Sequence, residues 1–251
     1  MELYPFLNCG DPGIGGFDML FYGKITGHFL TMDRQIKHWR RANRKMGWKI
    51  PRDEFRRLEA MLSSMTFEDR QGLIGTVLCY GFGHDGDNGC DAVLSGRRAW
   101  QYAARLHGLD TWQCQYLRLD QPEYIRLRPK APVRPKGFYL ADIRLPAKVQ
   151  AFTVSQFRKR LSAGCTGLGP EGIQTFCITH PHLAMQMNAH MLPFIVLADY
   201  DVAPYGYYDF FDAVQIFCSN KTLGLGIGNI DQNYPLFGIA EMAADFKKMT
   251  T

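Results

Sequence analysis

The sequence has no long hydrophobic run and no closely spaced cysteine pair. No window approaches the roughly 18 uncharged apolar residues of a membrane-spanning helix, so neither a span nor a membrane partner is expected. The N-terminus lacks a basic stretch followed by an apolar core, so no signal peptide is expected. The seven cysteines are odd in number and include no CxxC pair, which argues against a disulfide framework or a four-cysteine zinc site. This pattern favours buried free thiols in a cytoplasmic protein.

Basic residues are scarce in the last part of the chain, whereas acidic residues occur at a similar density throughout. Residues 1–162 hold 26 of the 29 Lys and Arg and 16 of the 24 Asp and Glu, a balance of +10. Residues 163–251 hold 3 basic and 8 acidic residues, a balance of −5. Such segregation favours a face that meets an anionic partner. The alternative is that the basic part holds the acidic part of the same chain.

Signatures of several known binding folds are also absent. Nothing matches a helix-turn-helix or a zinc finger. The glycines of residues 222–229 alternate strictly, and no helix pattern follows them, unlike the dinucleotide-binding fingerprint. On a strand, Gly224, Gly226 and Gly228 share one face, which a helix, a backbone or a flat ligand can approach closely. Close packing of a helix is the interpretation that we favour.

The patterns that are present predict an α+β fold. A helical, basic N-terminal half (residues 1–110) is expected to pack on a mainly antiparallel β-sheet formed by the C-terminal half (residues 111–251), as two regions or as one domain. Helices are predicted over residues 32–46, 55–65, 66–78, 95–106, 155–164, 170–180 and 182–191, with Ser95 as an N-cap. Strands are predicted over residues 17–22, 112–119, 137–145, 194–198, 213–218 and 223–230, the last three joined as hairpins.

The strongest functional signal is a basic helix. Residues 34–57 contain ten Lys or Arg and two acids, with Trp39 and Trp48 inside the run. Cationic side chains neutralise phosphates and aromatic side chains stack on bases, so the run predicts a surface for nucleic acid or another polyanion. Its candidate residues are Arg34, Lys37, Arg40, Arg41, Arg44, Lys45 and Lys49. The alternative is a solvated helix face with both tryptophans buried.

A second basic stretch follows at residues 126–136. Five cations stand among three prolines without an acid: Arg126, Arg128, Lys130, Arg134 and Lys136. Proline holds such a segment extended, so its charges are expected to project into solvent as a rigid arm along a polyanion. An ordinary proline-stiffened connection is the alternative.

The loop at residues 81–91 has the composition of a divalent metal site. Asp85, Asp87 and Asp91, with His84 and Asn88, offer the oxygen and nitrogen ligands of such a site. Its spacing departs from the EF-hand loop, and no glutamate closes it. A glycine-rich turn whose aspartates cap backbone amides is the alternative.

Two carboxylates, Asp199 and Asp201, end an apolar strand and share one of its faces. Such a pair can hold a divalent ion, and with His180 or His84 as base it suggests a metal-assisted hydrolase or phosphotransfer enzyme. Ala203 stands where aspartate-nucleophile phosphohydrolases need a hydroxyl, and the Gly-Ser turn of nucleotidyltransferases is missing. A structural loop rich in Asp and aromatic residues is the alternative.

Cysteine and histidine also cluster at residues 177–190. Cys177, His180, His182 and His190 lie close enough in sequence for zinc, although Pro181 interrupts their spacing. Helix capping or core packing by the individual histidines is the interpretation that we favour. A third functional hypothesis is self-assembly, in which the basic face of one copy meets the acidic residues 163–251 of another.

Overall fold

The computed structural model describes residues 29–65, 74–82, 90–106, 110–121, 123–146, 152–161, 163–187, 192–204, 206–207, 209–233 and 237–249. They form an α+β fold, as the sequence predicts, with helices in the N-terminal part and mainly antiparallel sheets in the C-terminal part. No described helix has the length and apolar content that crossing a membrane requires.

The helices are short, apart from three in the first half of the chain. Their bounds are α1 (Met32–Met46), α2 (Arg52–Ser63), α3 (Cys90–Leu106), α4 (Val154–Arg160), α5 (Pro170–Gln174) and α6 (Pro181–Ala184), with a π-helix (Thr175–Thr179) between α5 and α6.

The strands form two sheets. Their bounds are β1 (Ile74–Gly81), β2 (Asp110–Gln113), β3 (Ile125–Leu127), β4 (Gly137–Arg144), β5 (Cys165–Gly167), β6 (Phe194–Val202), β7 (Asp212–Ser219), β8 (Thr222–Asn229), β9 (Phe237–Ile239), β10 (Glu241–Ala243) and β11 (Lys247–Lys248). One sheet has the order β1–β4–β10–β5, with β11 beside β4, and the other has the order β2–β8–β7–β6–β3, with β9 beside β6. The β6–β7 and β7–β8 pairs are antiparallel, which confirms the predicted hairpins.

Helix α1 forms where apolar residues recur at helical spacing. Ile36, Trp39 and Ala42 are buried on one face of it. Gly47 ends the helix with a left-handed φ of 63°, and its N–H donates to the carbonyl of Asn43. The side chain of Asn43 bonds both backbone groups of Ile50, each at 3.0 Å, and thereby fixes the turn between α1 and α2.

Side chains cover the outer edge of β1, which pairs only with β4 among the described strands. Gln35 Oε1 accepts from the backbone N–H of Leu78 at 2.7 Å, and Trp39 Nε1 donates to the carbonyl of Leu78 at 2.8 Å. Gln174 makes two bonds of 2.9 Å with the backbone of Tyr80. These bonds satisfy backbone groups that an open edge would offer to another chain. They also attach α1 firmly to the sheet.

The predicted helix over residues 66–78 is wrong in its last part, because residues 74–81 form β1. This strand pairs with β4 along its whole length, from Ile74–Arg144 to Gly81–Gly137. From Val77 onward its residues are buried on both faces, so the strand lacks the alternation of apolar and polar residues that would have revealed it. Ser95 is not an N-cap either, since α3 begins at Cys90 and Ser95 lies within it.

Other predicted bounds shift as well. The strand predicted over residues 112–119 ends at Gln113, and β2 pairs in parallel with β8. The predicted Ser155 helix begins at Val154, after an N-cap at Thr153 whose capping box with Gln156 sets the start. The helix predicted over residues 182–191 ends at Ala184. The strand predicted over residues 17–22 lies outside the described residues.

Candidate functional site

Helix α1 carries cationic side chains on the face opposite its buried apolar face. Lys37, Arg41 and Arg44 follow one another at i, i+4 and i+7, so they form one stripe. All three side chains are exposed, on the face opposite the one that packs against the sheet. Like charges at this spacing cost a helix about 0.2–0.5 kcal/mol per pair. The repulsion between these cations therefore does not stabilise the helix.

A groove of about 880 Å³ lies along this stripe, between α1 and α2. Six cationic side chains line it, namely Lys37, Arg40, Arg41 and Arg44 from α1 and Arg52 and Arg56 from α2. His38, Asn43, Ile50 and Phe55 complete the lining. The two bonds between Asn43 and Ile50 hold the turn that joins the two walls, so the walls have a defined separation.

Ion pairs within the described part of the chain neutralise two of these six cations. Arg40 pairs with Glu59 at 2.9 Å and Arg56 pairs with Asp53 at 3.2 Å. Across the described residues, no carboxylate lies within ion-pair distance of the other four groove cations, Lys37, Arg41, Arg44 and Arg52. A concave surface that concentrates charge of one sign raises the local concentration of ions of the opposite sign.

His38 is held in the groove by one of its ring nitrogens. Its Nδ1 lies 3.0 Å from the carbonyl oxygen of Ile178, in the π-helix. A carbonyl oxygen only accepts, so Nδ1 carries a proton. In the neutral ring, Nε2 is then an acceptor.

The groove differs from the predicted surface in its aromatic residues and its extent. Trp39 is fully buried, and Trp48 is partly covered by Phe82 and Tyr102, whose ring centroids lie 5.3 Å and 6.0 Å away. The alternative of buried tryptophans therefore holds for Trp39. Its ring has no exposed face on which a base could stack. Of the predicted polyanion-binding residues, three are exposed outside the groove lining: Arg34, Lys45 and Lys49. The candidate residues omitted His38, Arg52 and Arg56.

The basic arm at residues 126–136 is not a solvent-exposed arm. Arg134 is buried, and its Nε and Nη2 each lie 2.9 Å from a carboxylate oxygen, of Glu171 and Asp199 respectively. Arg128 Nη2 lies 3.1 Å from the other oxygen of Asp199. The prediction that the charges project into solvent is therefore wrong for Arg128 and Arg134. In this arm, the basic part of the chain holds its acidic part.

Asp199 and Asp201 are likewise held by arginines. Asp199 also accepts from the hydroxyl of Thr166 at 2.5 Å. Asp201 Oδ1 lies 2.9 Å from Arg158 Nη1, and Asp201 Oδ2 lies 4.0 Å from Arg126 Nε. The described residues include no group of three or more His, Cys, Asp or Glu arranged to hold a metal. A catalytic or metal-binding role of the two aspartates stays a prediction. Because both are paired with arginines of the same chain, they are not free to bind the basic face of another copy in the self-assembly hypothesis.

His180 is fully buried and has a partner at each ring nitrogen. Nε2 accepts from the backbone N–H of Leu30 at 2.9 Å, and Nδ1 lies 2.8 Å from the hydroxyl of Thr179. Burial lowers the pKa of His180 to about 3, with smaller contributions from His182 and His38. No described contact joins His180 to Asp199 or Asp201.

The remaining predicted ligands are not brought together by the described contacts. His84, Asp85, Asp87 and Asn88 lie outside the described residues, as does His190. Asp91 belongs to the first turn of α3. Burial raises the pKa of the Cys177 thiol. The loop metal site and the zinc site stay predictions.

The glycine stripe of β8 has an aromatic partner instead of the expected helix. Phe217 of β7 is paired directly with Gly224, and a Cβ on Gly224 would overlap the Phe217 ring. The ring lies between those of Trp112 and Phe194, with centroids 5.7 Å and 5.5 Å away. Gly224 therefore makes room for a cross-strand aromatic cluster.

Replacing Gly224 with Ala is expected to destabilise the protein by about 1–3 kcal/mol, because the ring must leave its place. Urea denaturation measures the loss. Gly226→Ala is the matched control, since its added Cβ would lie 3.6 Å from the same ring, an ordinary contact. Adding Phe217→Leu to Gly224→Ala should restore part of the stability. Equal losses at the two glycines would contradict this account.

Comparison with protein-family models, with curated proteins and with solved structures gave no match for this chain. The groove between α1 and α2 is therefore interpreted from its own geometry and charge.

Proposed function

We propose that the groove between α1 and α2 binds nucleic acid or another polyanion. The observation that carries the proposal is the convergence of four cations without carboxylate partners, Lys37, Arg41, Arg44 and Arg52, on one groove among the described residues. Unpaired like charges on rigidly held helices repel one another until an anion neutralises them. The free energy of this repulsion becomes available when a polyanion binds.

The composition of the groove favours contacts to phosphate. Five of its six cations are arginines, whose planar guanidinium binds phosphate oxygens through two parallel hydrogen bonds. Trp39 is buried, so the groove lacks the stacking residue that the sequence suggested. Contacts to phosphate carry no base information, so the binding is expected to depend strongly on salt and weakly on sequence.

The test is binding of a mixed-sequence single-stranded oligonucleotide pool, measured by fluorescence anisotropy at about 50 mM and 200 mM salt. Changing Lys37, Arg41 and Arg44 to Ala removes three cations from one wall. On a single strand, this should reduce the slope of log affinity against log salt by about 2. Affinity should fall alike for all sequences in the pool.

A matched control removes three cations elsewhere. Lys159, Lys247 and Lys248 are exposed and lie outside the groove. Changing these three to Ala alters the net charge equally, so an effect of total charge would appear in both variants. Absence of binding by the unchanged protein at low salt would rule out the nucleic-acid form of the proposal. Equal losses in the two triple variants would show that the groove is not the binding site.

A further inference from the structure

His38 places an imidazole ring in the lining of the groove, among its cations. Its Nδ1 is fixed on the carbonyl of Ile178, and no hydrogen bond within the described part of the chain reaches Nε2. A neutral ring with its proton on Nδ1 presents only an acceptor at Nε2, which repels a phosphate oxygen. After protonation, Nε2 becomes a charged donor to the same oxygen.

We propose that His38 takes up a proton when a phosphodiester anion binds in the groove, so that binding is coupled to pH. This inference rests on the proposed function and adds one contact to it, a charge-assisted hydrogen bond from Nε2 of His38 to a phosphate oxygen. The ligand class is the phosphodiester backbone of a nucleic acid, whose phosphates are repeated at intervals along the chain and can meet several groove cations at once.

The groups around His38 do not stabilise its protonated form in the absence of a bound anion. Its neighbours on α1, Arg34, Lys37 and Arg41, are cationic, and α2 adds Arg52 and Arg56 across the groove. On the other side, the ring faces the segment that carries His180 and His182. The described residues of β1 and of the π-helix carry no charged side chain. No described carboxylate pairs with the ring, so a bound phosphate is the group that stabilises its protonated form.

The neighbouring histidines do not supply the same response. His180 is buried and stays neutral through the range in question, because both of its ring nitrogens have fixed partners. His182 lies outside the groove lining. The proton is therefore assigned to His38.

Affinity for an oligonucleotide should rise as pH falls from about 8 to 5.5, approaching a tenfold gain per pH unit where one proton is taken up. The probe carries hydroxyl groups at both ends, because a terminal phosphate titrates near pH 6 and would mask the effect. Salt is held constant. The unchanged protein and His182→Gln should show the rise, and His38→Gln should bind with an affinity that pH does not change.

Calorimetry provides a second readout that does not depend on a variant folding. Binding heats measured near pH 6.5 in two buffers of different ionisation enthalpy give the number of protons taken up by the unchanged protein. Uptake of a clear fraction of a proton, or of a full proton, supports the inference. Loss of this uptake in His38→Gln assigns the proton to His38. Zero uptake, or the same pH dependence in His38→Gln, overturns the inference while leaving the groove intact as a binding site. Failure of the unchanged protein to bind the oligonucleotide at any pH overturns the nucleic-acid form of the proposed function, and this inference with it.

Discussion

Replacing Arg134 with Met is expected to lower the free energy of unfolding by about 3–5 kcal/mol, the largest effect of any single change proposed for this protein. Arg134 exposes 3% of its side chain and bridges Glu171 and Asp199, which are fully buried. Methionine fills similar space without charge, so both carboxylates lose a cation while staying away from water. Arg128 still compensates Asp199, whereas the described groups that remain bonded to Glu171 are neutral donors, the Tyr139 hydroxyl and the Gly169 N–H.

Three variants turn this expectation into a test by urea denaturation. Arg144→Met removes an arginine from the exposed ion pair with Glu241, and should cost about 0–1 kcal/mol. Arg134→Lys keeps a charge but cannot bond both carboxylates as the guanidinium does, so its loss should be intermediate. Adding Glu171→Gln to Arg134→Met removes the uncompensated charge and should recover part of the stability. Equal losses for Arg134→Met and Arg144→Met would refute the structural role of the buried network.

The buried network also shows which parts of the structure were accessible from the sequence. Helix α1 could be predicted because the positions of its apolar residues repeat at the helical period. The partners of Arg134 could not, because the ion pairs join residues 37 and 65 positions apart. The prolines around Arg134 indicated an extended segment correctly, but extension does not determine which side chains point inward.

The candidate site likewise contains features that the sequence predicted and features that it did not. The cations of α1 were predicted from their density in sequence, whereas the groove exists because the chain turns after α1 and brings side chains of α2 into the same lining. The bonds between Asn43 and Ile50 set that geometry, and periodicity gives no sign of them. The position of His38 could not be predicted from the sequence, because its ring is held by the carbonyl of Ile178, which is 140 residues away. Features that depend on a local repeat were predicted, and features that depend on distant contacts were not.

Acidification from pH 7 to pH 4 is expected to cost the protein several kcal/mol through His180 alone. Burial lowers the pKa of its imidazole to about 3, against an ordinary value of 6.5. The folded state therefore favours the neutral ring, so this contribution is fully present above pH 6.5 and is lost as pH falls towards 3. At 1.36 kcal/mol per pKa unit, the whole contribution is about 4–5 kcal/mol.

A second buried group acts in the opposite direction and has to be separated from the first. Burial raises the pKa of Asp212 to about 6, against 3.8, so its protonated form is favoured in the folded state. Its contribution is present below pH 3.8 and is lost as pH rises through about 6. In the unchanged protein, the stability that Asp212 adds on acidification offsets part of the stability that His180 loses. The free energy of unfolding therefore falls less steeply with pH than His180 alone would produce.

Variants resolve the two contributions when the free energy of unfolding is measured by urea denaturation at pH 7, 6, 5 and 4. In His180→Gln, an amide oxygen can still accept from the N–H of Leu30 but does not titrate, so the variant should lose less stability on acidification than the unchanged protein. Its deficit at pH 7 should shrink as pH falls. Asp212→Asn should show the opposite trend. Its stability relative to the unchanged protein should be higher at pH 7 than at pH 4. A His180→Gln profile parallel to that of the unchanged protein would show that His180 is not held neutral by the fold, because only a change of proton binding on unfolding can tilt one profile against the other.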